Sequence, residues 1–215
     1  MKVAIVGVTG NLGNKIMIEA LLRGHTVTGI ARSATATLAA LPNLTLKDVD
    51  VSDAKALSAA MAGHDAVIHA VSPGPNVPDV YAKFVALHKA VIAGVKLSGV
   101  KRFLCVGGAA SLKLPDGTVF LDSDQWPAHF SKEAVKGTRK LMYLLKDEPD
   151  LDWVFLSPSV FLEPGKRTGK YRVGKDHILF DASGRSNISR EDYAVAMIDE
   201  LERPAHTRER FTVGY

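Results

Sequence analysis

Residues 3–13 read "VAIVGVTGNLG", four apolar residues followed by glycines at positions 7, 10 and 13. A short uncharged run ending in glycine predicts a buried strand that closes in a tight turn. Ile16, Ala20 and Leu21 then recur at helical spacing, so the turn opens a helix. Such a strand, turn and helix unit uses glycine for the bend, for close approach of backbone to a pyrophosphate, and for helix packing against strand. The start of the helix adds unpaired N–H groups and the positive end of a dipole, which suit phosphate. Thr9, Asn11 and Leu12 lie between the glycines, and the first two bring further donors. A glycine-rich turn that only permits packing is the alternative, and the flanking strand and helix favour the dinucleotide. The spacing Gly-x-x-Gly-x-x-Gly is one residue longer at its start than the pattern of many dehydrogenases.

The same alternation continues outward. Short apolar, β-branched runs at residues 26–30, 44–49, 66–69, 103–106 and 153–156 predict five more strands. Helical stripes separate them, the longest through Val80, Phe84, Leu87, Val91 and Val95 to about Ser98, and another through Leu141, Leu144 and Leu145. Strands nearly free of charge imply a sheet covered on both faces, so the fold class is α/β: a doubly wound parallel sheet with right-handed crossovers. Residues 1–215 fit one domain. Two glycine-punctuated stretches, residues 107–127 and 157–187, follow strand ends where such sheets bind ligands, and residues of about 157–189 are expected to form a small C-terminal substrate-binding region. Ser189 and Asp192 have capping-box spacing ahead of a last helix, and "RFTV" (211, 212 and 213 following Arg210) predicts a last strand.

Composition removes other classes. With 47% hydrophobic and 23% charged residues the chain has the make-up of a soluble globular protein, and no apolar run reaches membrane-spanning length. The first ten residues, "MKVAIVGVTG", read as a strand and not as a signal peptide, so the expected address is cytoplasmic. Cys105 is the only cysteine and lies in an apolar run, which predicts a buried, unreactive thiol. The histidines, at 25, 64, 69, 88, 129, 177 and 206, have no pair at helical ligand spacing, and no metal is implied. No Gly-x-Ser-x-Gly elbow is present. A net charge of +4 with no groove-reading or aromatic basic motif predicts no nucleic-acid partner.

The end of the second strand discriminates between dinucleotides. A carboxylate there would favour NAD, whereas arginine accommodates the 2′-phosphate of NADP. The sequence reads "TGIARSA", with Arg32 and Ser33 and no acidic residue between Glu19 and Asp48. NADP is the expected cofactor, with NADPH preferred over NADH, unless Arg32 is simply an exposed arginine.

These residues resemble the atypical short-chain dehydrogenase/reductase superfamily. The resemblance runs along nearly the whole chain, through "GVTGNLG", "DVDVSD", "HAVSPG", "VGGAAS" and "LSPSVF". "PGKRTGKYRVGKD", "ISREDYAVAMIDELERP" and "RFTVGY" look closest to bacterial proteins named NADH-flavin reductases, within the NAD(P)H-binding, NmrA-like group. The resemblance implies a Rossmann-like fold, with Asp50 and Val51 flanking the adenine. It implies further that Ala70, Val71 and Ser72 line the middle of the dinucleotide, and that Gly107, Ser157 and Pro158 sit near the nicotinamide.

Many members of the superfamily pair a serine after the fifth strand with Tyr-x-x-x-Lys on the next helix. Ser111 fits the serine, as the candidate catalytic residue. The tyrosine and lysine are missing: Tyr143 on that helix is followed four places on by Asp147, and the one match, Tyr171 with Lys175, falls after the sixth strand. Carbonyl reduction by that route loses its acid. Flavin reduction does not need it, because the proton can come from solvent and the protein supplies mainly orientation. The expected function is therefore hydride transfer from NADPH to a flavin or similar planar acceptor. A non-catalytic NADP(H) sensor of NmrA type is the alternative, and a reductase or epimerase of small carbonyl compounds is a third. On the acceptor side, Trp126 and Phe130 either wall the pocket or pack in the core. Lys166 and Arg167, with Lys170 and Arg172, either receive a phosphate or carboxylate, flavin mononucleotide being one candidate ligand, or form a solvated loop. The expected partner is thus a small-molecule acceptor, with monomer or homodimer open.

Overall fold

The computed structural model describes residues 1–74, 77–127 and 130–215, so His129 of the histidine series lies outside the described residues. Eight strands form one sheet in the order β3-β2-β1-β4-β5-β6-β10-β8. The strands are β1 (Lys2–Val6), β2 (Thr26–Ala31), β3 (Leu44–Asp48), β4 (Ala66–His69), β5 (Arg102–Val106), β6 (Asp152–Ser157), β8 (Arg172–Gly174) and β10 (Glu209–Gly214). Every pairing in it is parallel except the last, where β8 runs antiparallel to β10. A second, two-stranded parallel ladder joins β7 (Phe161–Glu163) to β9 (Asn187–Ser189).

Val3, Ala4, Ile5 and Val6 are wholly buried, and the reason is two-sided cover. One core lies between the sheet and α1 (Asn11–Leu22) with α6 (Arg190–Glu202). The other lies under α3 (Ala54–Met61), α4 (Val80–Ser98) and α5 (Lys132–Lys146). A single-turn helix, α2 (Ala34–Thr37), follows β2. Cys105 faces the second core, buried and free, and its burial raises the thiol well above its ordinary range. No helix among the described residues is long and apolar enough to cross a membrane.

Register decides where the loops emerge. Val6 pairs with Ile30 on one side and His69 on the other, and His69 with Cys105, so the carboxyl ends of β1, β2, β4 and β5 are level along one edge. The segment 157–187, read from sequence as loop, contains β7 and β8, and its "RFTV" partner lies inside the sheet between β6 and β8. The capping box at α6 is only half made. Ser189 Oγ accepts the Asp192 N–H at 2.9 Å, but the Asp192 carboxylate takes the backbone N–H groups of Thr168 and Gly169, each at 2.8 Å, and the Tyr215 hydroxyl at 2.7 Å. Asp192 is completely buried, and donors from a distant loop outnumber the single N–H of Ser189 that a capping box would offer.

Candidate functional site

Gly7 holds φ +93°, and a Cβ there would lie 2.7 Å from Ala70 O, so the first turn touches the chain leaving β4. Gly13 is the tighter case: a Cβ would stand 2.1 Å from Gly7 O. Gly10 precedes α1 with extended backbone and no side-chain cap, and the first turn of the helix has no acidic side chain. Its first N–H groups, which a helix cannot pair internally, are left for an anion.

A cavity of ≈ 440 Å³ runs along the carboxyl edge of the sheet. Its outer end is formed by Arg32, Ser33 and Val51, its middle by the turn and Ala70, Val71 and Ser72, and its inner end by Phe84, His88, Val106, Gly107 and Thr138. Asp48, the carboxylate closing β3, is taken by the backbone N–H of Thr35 at 2.9 Å and by its hydroxyl. Arg32 is the charged side chain that lines that end.

A second cavity, ≈ 210 Å³, shares Gly107 and Thr138 with the first, so the two adjoin. Its walls are largely apolar, from Ala109, Ala110, Val135, Val160 and Leu162 to a run of rings in which Phe120 and Trp126 lie 5.2 Å apart and Trp126 and Phe130 5.9 Å. Glycine at 107 lets the chain at the junction lie close against β6, because a Cβ there would fall 2.4 Å from the Phe155 ring and 2.7 Å from Leu156 O.

The family described as NAD(P)H-binding matches residues 7–204, which span both cavities. The chain belongs to the NAD(P)H-binding family. Its relatives in that fold include a protein of Bacillus subtilis (strain 168), YwnB, described as uncharacterized, 38% identical over 99% of this chain and 98% of its own. A Bacteroides thetaiotaomicron structure provisionally named an epimerase is 41% identical, covers 100% of this chain and 96% of its own, and superposes with a TM-score of 0.92. A Streptococcus pneumoniae structure provisionally named an NADH-flavin reductase is 32% identical, with coverage of 100% and 99% and a TM-score of 0.83. The fold is accordingly an NAD(P)H-binding, oxidoreductase-like one, and the first cavity has the uncapped helix start and glycine-opened turn that a dinucleotide pyrophosphate fits.

Within this NAD(P)H-binding chain the structure brings Gly7, Thr9, Gly10, Asn11, Leu12, Arg32, Ser33, Val51, Ala70, Val71, Ser72 and Gly107 to the first cavity. Gly13 serves packing behind the turn. Asp50 is spent on its own turn: it accepts the N–H and hydroxyl of Ser52, which hold its carboxyl below the ordinary range, with a smaller contribution from Arg32. Pro158 lines the second cavity, whereas Ser157 is completely buried in β6.

Trp126, Phe130 and Ser111 line the second cavity. The Ser111 hydroxyl already has partners: it accepts from Arg210 at 3.0 Å and donates toward Met142 Sδ at 3.8 Å. Lys166 and Arg167 do not line either cavity. Arg167 grips Glu19 of α1 with two bonds, 2.7 and 2.8 Å, and the Lys166 carbonyl accepts from Ser189. Electrostatics dictates this placement: Glu19 is buried at 3% exposure, and the bond from Arg167 is the largest influence holding its carboxyl low. Tyr171 gives its hydroxyl to Asp199 on α6, so the Tyr171 and Lys175 spacing has no catalytic geometry.

Sequence reasoning missed His88, Phe84 and Thr138. Thr138 is the α5 residue facing both cavities, and Gly137 beside it lets Phe84 nest so closely that a Cβ would lie 2.5 Å from the Phe84 Cβ. The available signal was a titratable residue at 88 on the apolar stripe of 80, 84, 91 and 95. Tyr143, the one tyrosine of α5, is exposed and lines neither cavity, lying instead beside Lys136 and Lys140.

Proposed function

We propose that the chain is a reductase that binds NADPH in preference to NADH and passes its hydride to a flavin or a similar planar acceptor, such as flavin mononucleotide. The observation that carries this reading is the junction at Gly107 and Thr138, where a phosphate-binding cleft meets an apolar cavity walled by aromatic rings. When bound, NADPH supplies the hydride, and the acceptor's proton comes from solvent. The turn and the uncapped start of α1 hold the pyrophosphate, and Arg32 and Ser33 receive the 2′-phosphate. The ring-lined cavity orients the acceptor against the inner end of the cleft and excludes water, contributing proximity and not acid–base chemistry. Residues 157–189 supply the acceptor side only through the stretch from Pro158 to Leu162. The partner is a small molecule, and nothing in this reading calls for nucleic acid or membrane.

The name of the pneumococcal relative supports this acceptor, and that of the Bacteroides relative points instead to an epimerase. An epimerase or carbonyl reductase needs an acid at the junction. Among the described residues lining the second cavity no tyrosine or lysine occurs, and the Ser111 hydroxyl is engaged by Arg210.

NADPH oxidation measured against flavins, quinones and aldehydes tests the reading. Flavins should be turned over fastest; preference for an aldehyde overturns it. Tight NADPH binding with no rate above the uncatalysed one leaves the non-catalytic sensor, which the same lack of an acid–base pair also fits. Arg32→Ala should weaken NADPH about tenfold, roughly one charge-assisted phosphate contact, and leave NADH unchanged. An unaltered NADPH to NADH ratio removes Arg32 from the assignment.

A further inference from the structure

His69 closes β4 and His88 lies in the middle of α4, and the crossover brings the two rings together. His69 Nε2 and His88 Nδ1 are 2.9 Å apart, with the rings edge to face at 83°. Both are buried, at 1% and 2% exposure. Burial strips them of charge: it takes His88 down to about 4 and His69 well below the usual imidazole range.

Two neutral rings in contact have a definite proton order. The Val71 N–H reaches His69 Nδ1 at 3.5 Å, and because a backbone N–H only donates, that nitrogen carries no proton. The His69 proton is then on Nε2, where it is donated to His88 Nδ1. His88 in turn holds its own proton on Nε2, on nearly the opposite edge of its ring. That Nε2 is buried with no partner among the described residues, while the His88 ring lines the inner end of the first cavity. An orphaned buried donor is costly, so one kept in a native structure calls for a physical reason, a ligand among them.

We propose that the His88 Nε2–H donates a hydrogen bond to an oxygen on the nicotinamide-nucleoside half of the bound dinucleotide, with His69 as the positioning residue that fixes the His88 tautomer. The inference rests on the dinucleotide reading of the first cavity. Placement selects the half: Arg32 and Ser33 take the adenosine end and the glycine turn the phosphates, leaving the His88 end, beside Gly107 and Thr138, for the nicotinamide nucleoside. A neutral donor also suits a cofactor whose ring is cationic when oxidised, since an imidazolium would repel it. Nε2 is closed to bulk water in the free protein, so bulk water does not satisfy it there.

The test uses the whole chain and two ligands, NADPH and 2′,5′-ADP, the second lacking the nicotinamide half. Calorimetric titration of His88→Phe should show NADPH weakened about tenfold and 2′,5′-ADP within twofold of wild type. Unchanged NADPH affinity, or equal weakening of both ligands, overturns the proposal. Wild-type protein labelled with ¹⁵N-histidine gives a reading that does not depend on the variant folding. Its His88 spectrum should be that of a single Nε2–H tautomer, displaced by NADPH and not by 2′,5′-ADP; no displacement by NADPH overturns the contact. In His69→Leu the His88 signals should become a tautomer mixture, and an unchanged pattern removes His69 from its role. If wild-type protein binds neither ligand, the dinucleotide reading falls and takes this inference with it.

Discussion

Gly13→Ala should abolish useful NADPH binding, weakening it at least a hundredfold, and lower stability by about 3 kcal/mol. The added Cβ would stand 2.1 Å from Gly7 O and 2.8 Å from Gly7 C, both backbone atoms with no flexible side chain to give way. Either α1 backs off the turn or the turn itself moves. In both cases the first-turn N–H groups leave the position at which they meet phosphate. Gly10→Ala is the graded control, because its Cβ meets Gly7 O at 3.3 Å and Ala70 O at 3.9 Å. It should cost about 1 kcal/mol or less in denaturant unfolding, the scale of a mild backbone adjustment. Equal NADPH affinity in Gly13→Ala and wild type, by fluorescence titration, would mean that the turn is not the phosphate cradle.

The parts of the fold legible in the sequence are those set by periodicity over adjacent residues. The run at 3–6 became β1, and the stripe through Val80, Phe84, Val91 and Val95 became α4, because burial on one face imposes a local repeat. The first cavity was legible for a related reason: a doubly wound sheet delivers the ends of successive strands to one edge, so residues just past each strand converge. The second cavity was legible in part, in its rings Trp126 and Phe130 and in Gly107, Ser111 and Pro158, which follow strand ends.

What stayed hidden are contacts between elements far apart in the chain. "PGKRTGKYR" has the charge of an anion-binding loop, yet Arg167 answers a buried carboxylate 148 positions earlier, and no local pattern marks Glu19 as buried and in need of a partner. His69 and His88 are separated by 19 residues with no periodic relation, and their meeting is a product of the crossover from β4 to α4. Absence was more legible than presence. The missing tyrosine and lysine of α5 could be read from the sequence, and the structure puts Val135, Thr138 and Arg139 on the second cavity at that helix.

Asp192→Ala should be the most destabilising single change on the far side of the sheet, at about 3–5 kcal/mol. The carboxylate is wholly buried and collects the N–H groups of Thr168 and Gly169, the Thr168 hydroxyl at 2.5 Å and the Tyr215 hydroxyl, thereby tying the loop before β8 and the end of the chain after β10 to α6. Alanine strands those donors together, which is why the effect exceeds that of one hydrogen bond. Burial opposes ionisation of Asp192, but the bonds from Thr168, Tyr215 and the 168 and 169 backbone outweigh it and hold the carboxyl below the ordinary range. A depressed native pKa fixes the sign: the contribution is fully present above the unfolded aspartate value of about 3.9 and is lost as pH falls through the native value. Urea unfolding at pH 7 should therefore show the full deficit of Asp192→Ala, and the gap to wild type should narrow as pH falls below about 4, where the unfolded aspartate takes up a proton, until the native carboxylate does so at its lower value. NADPH affinity of the folded variant should stay within about twofold of wild type, a change under 0.5 kcal/mol, since the clamp touches neither cavity. A deficit below about 1 kcal/mol at pH 7, the size of a single ordinary hydrogen bond, would show that the loop is held by other contacts and not by Asp192.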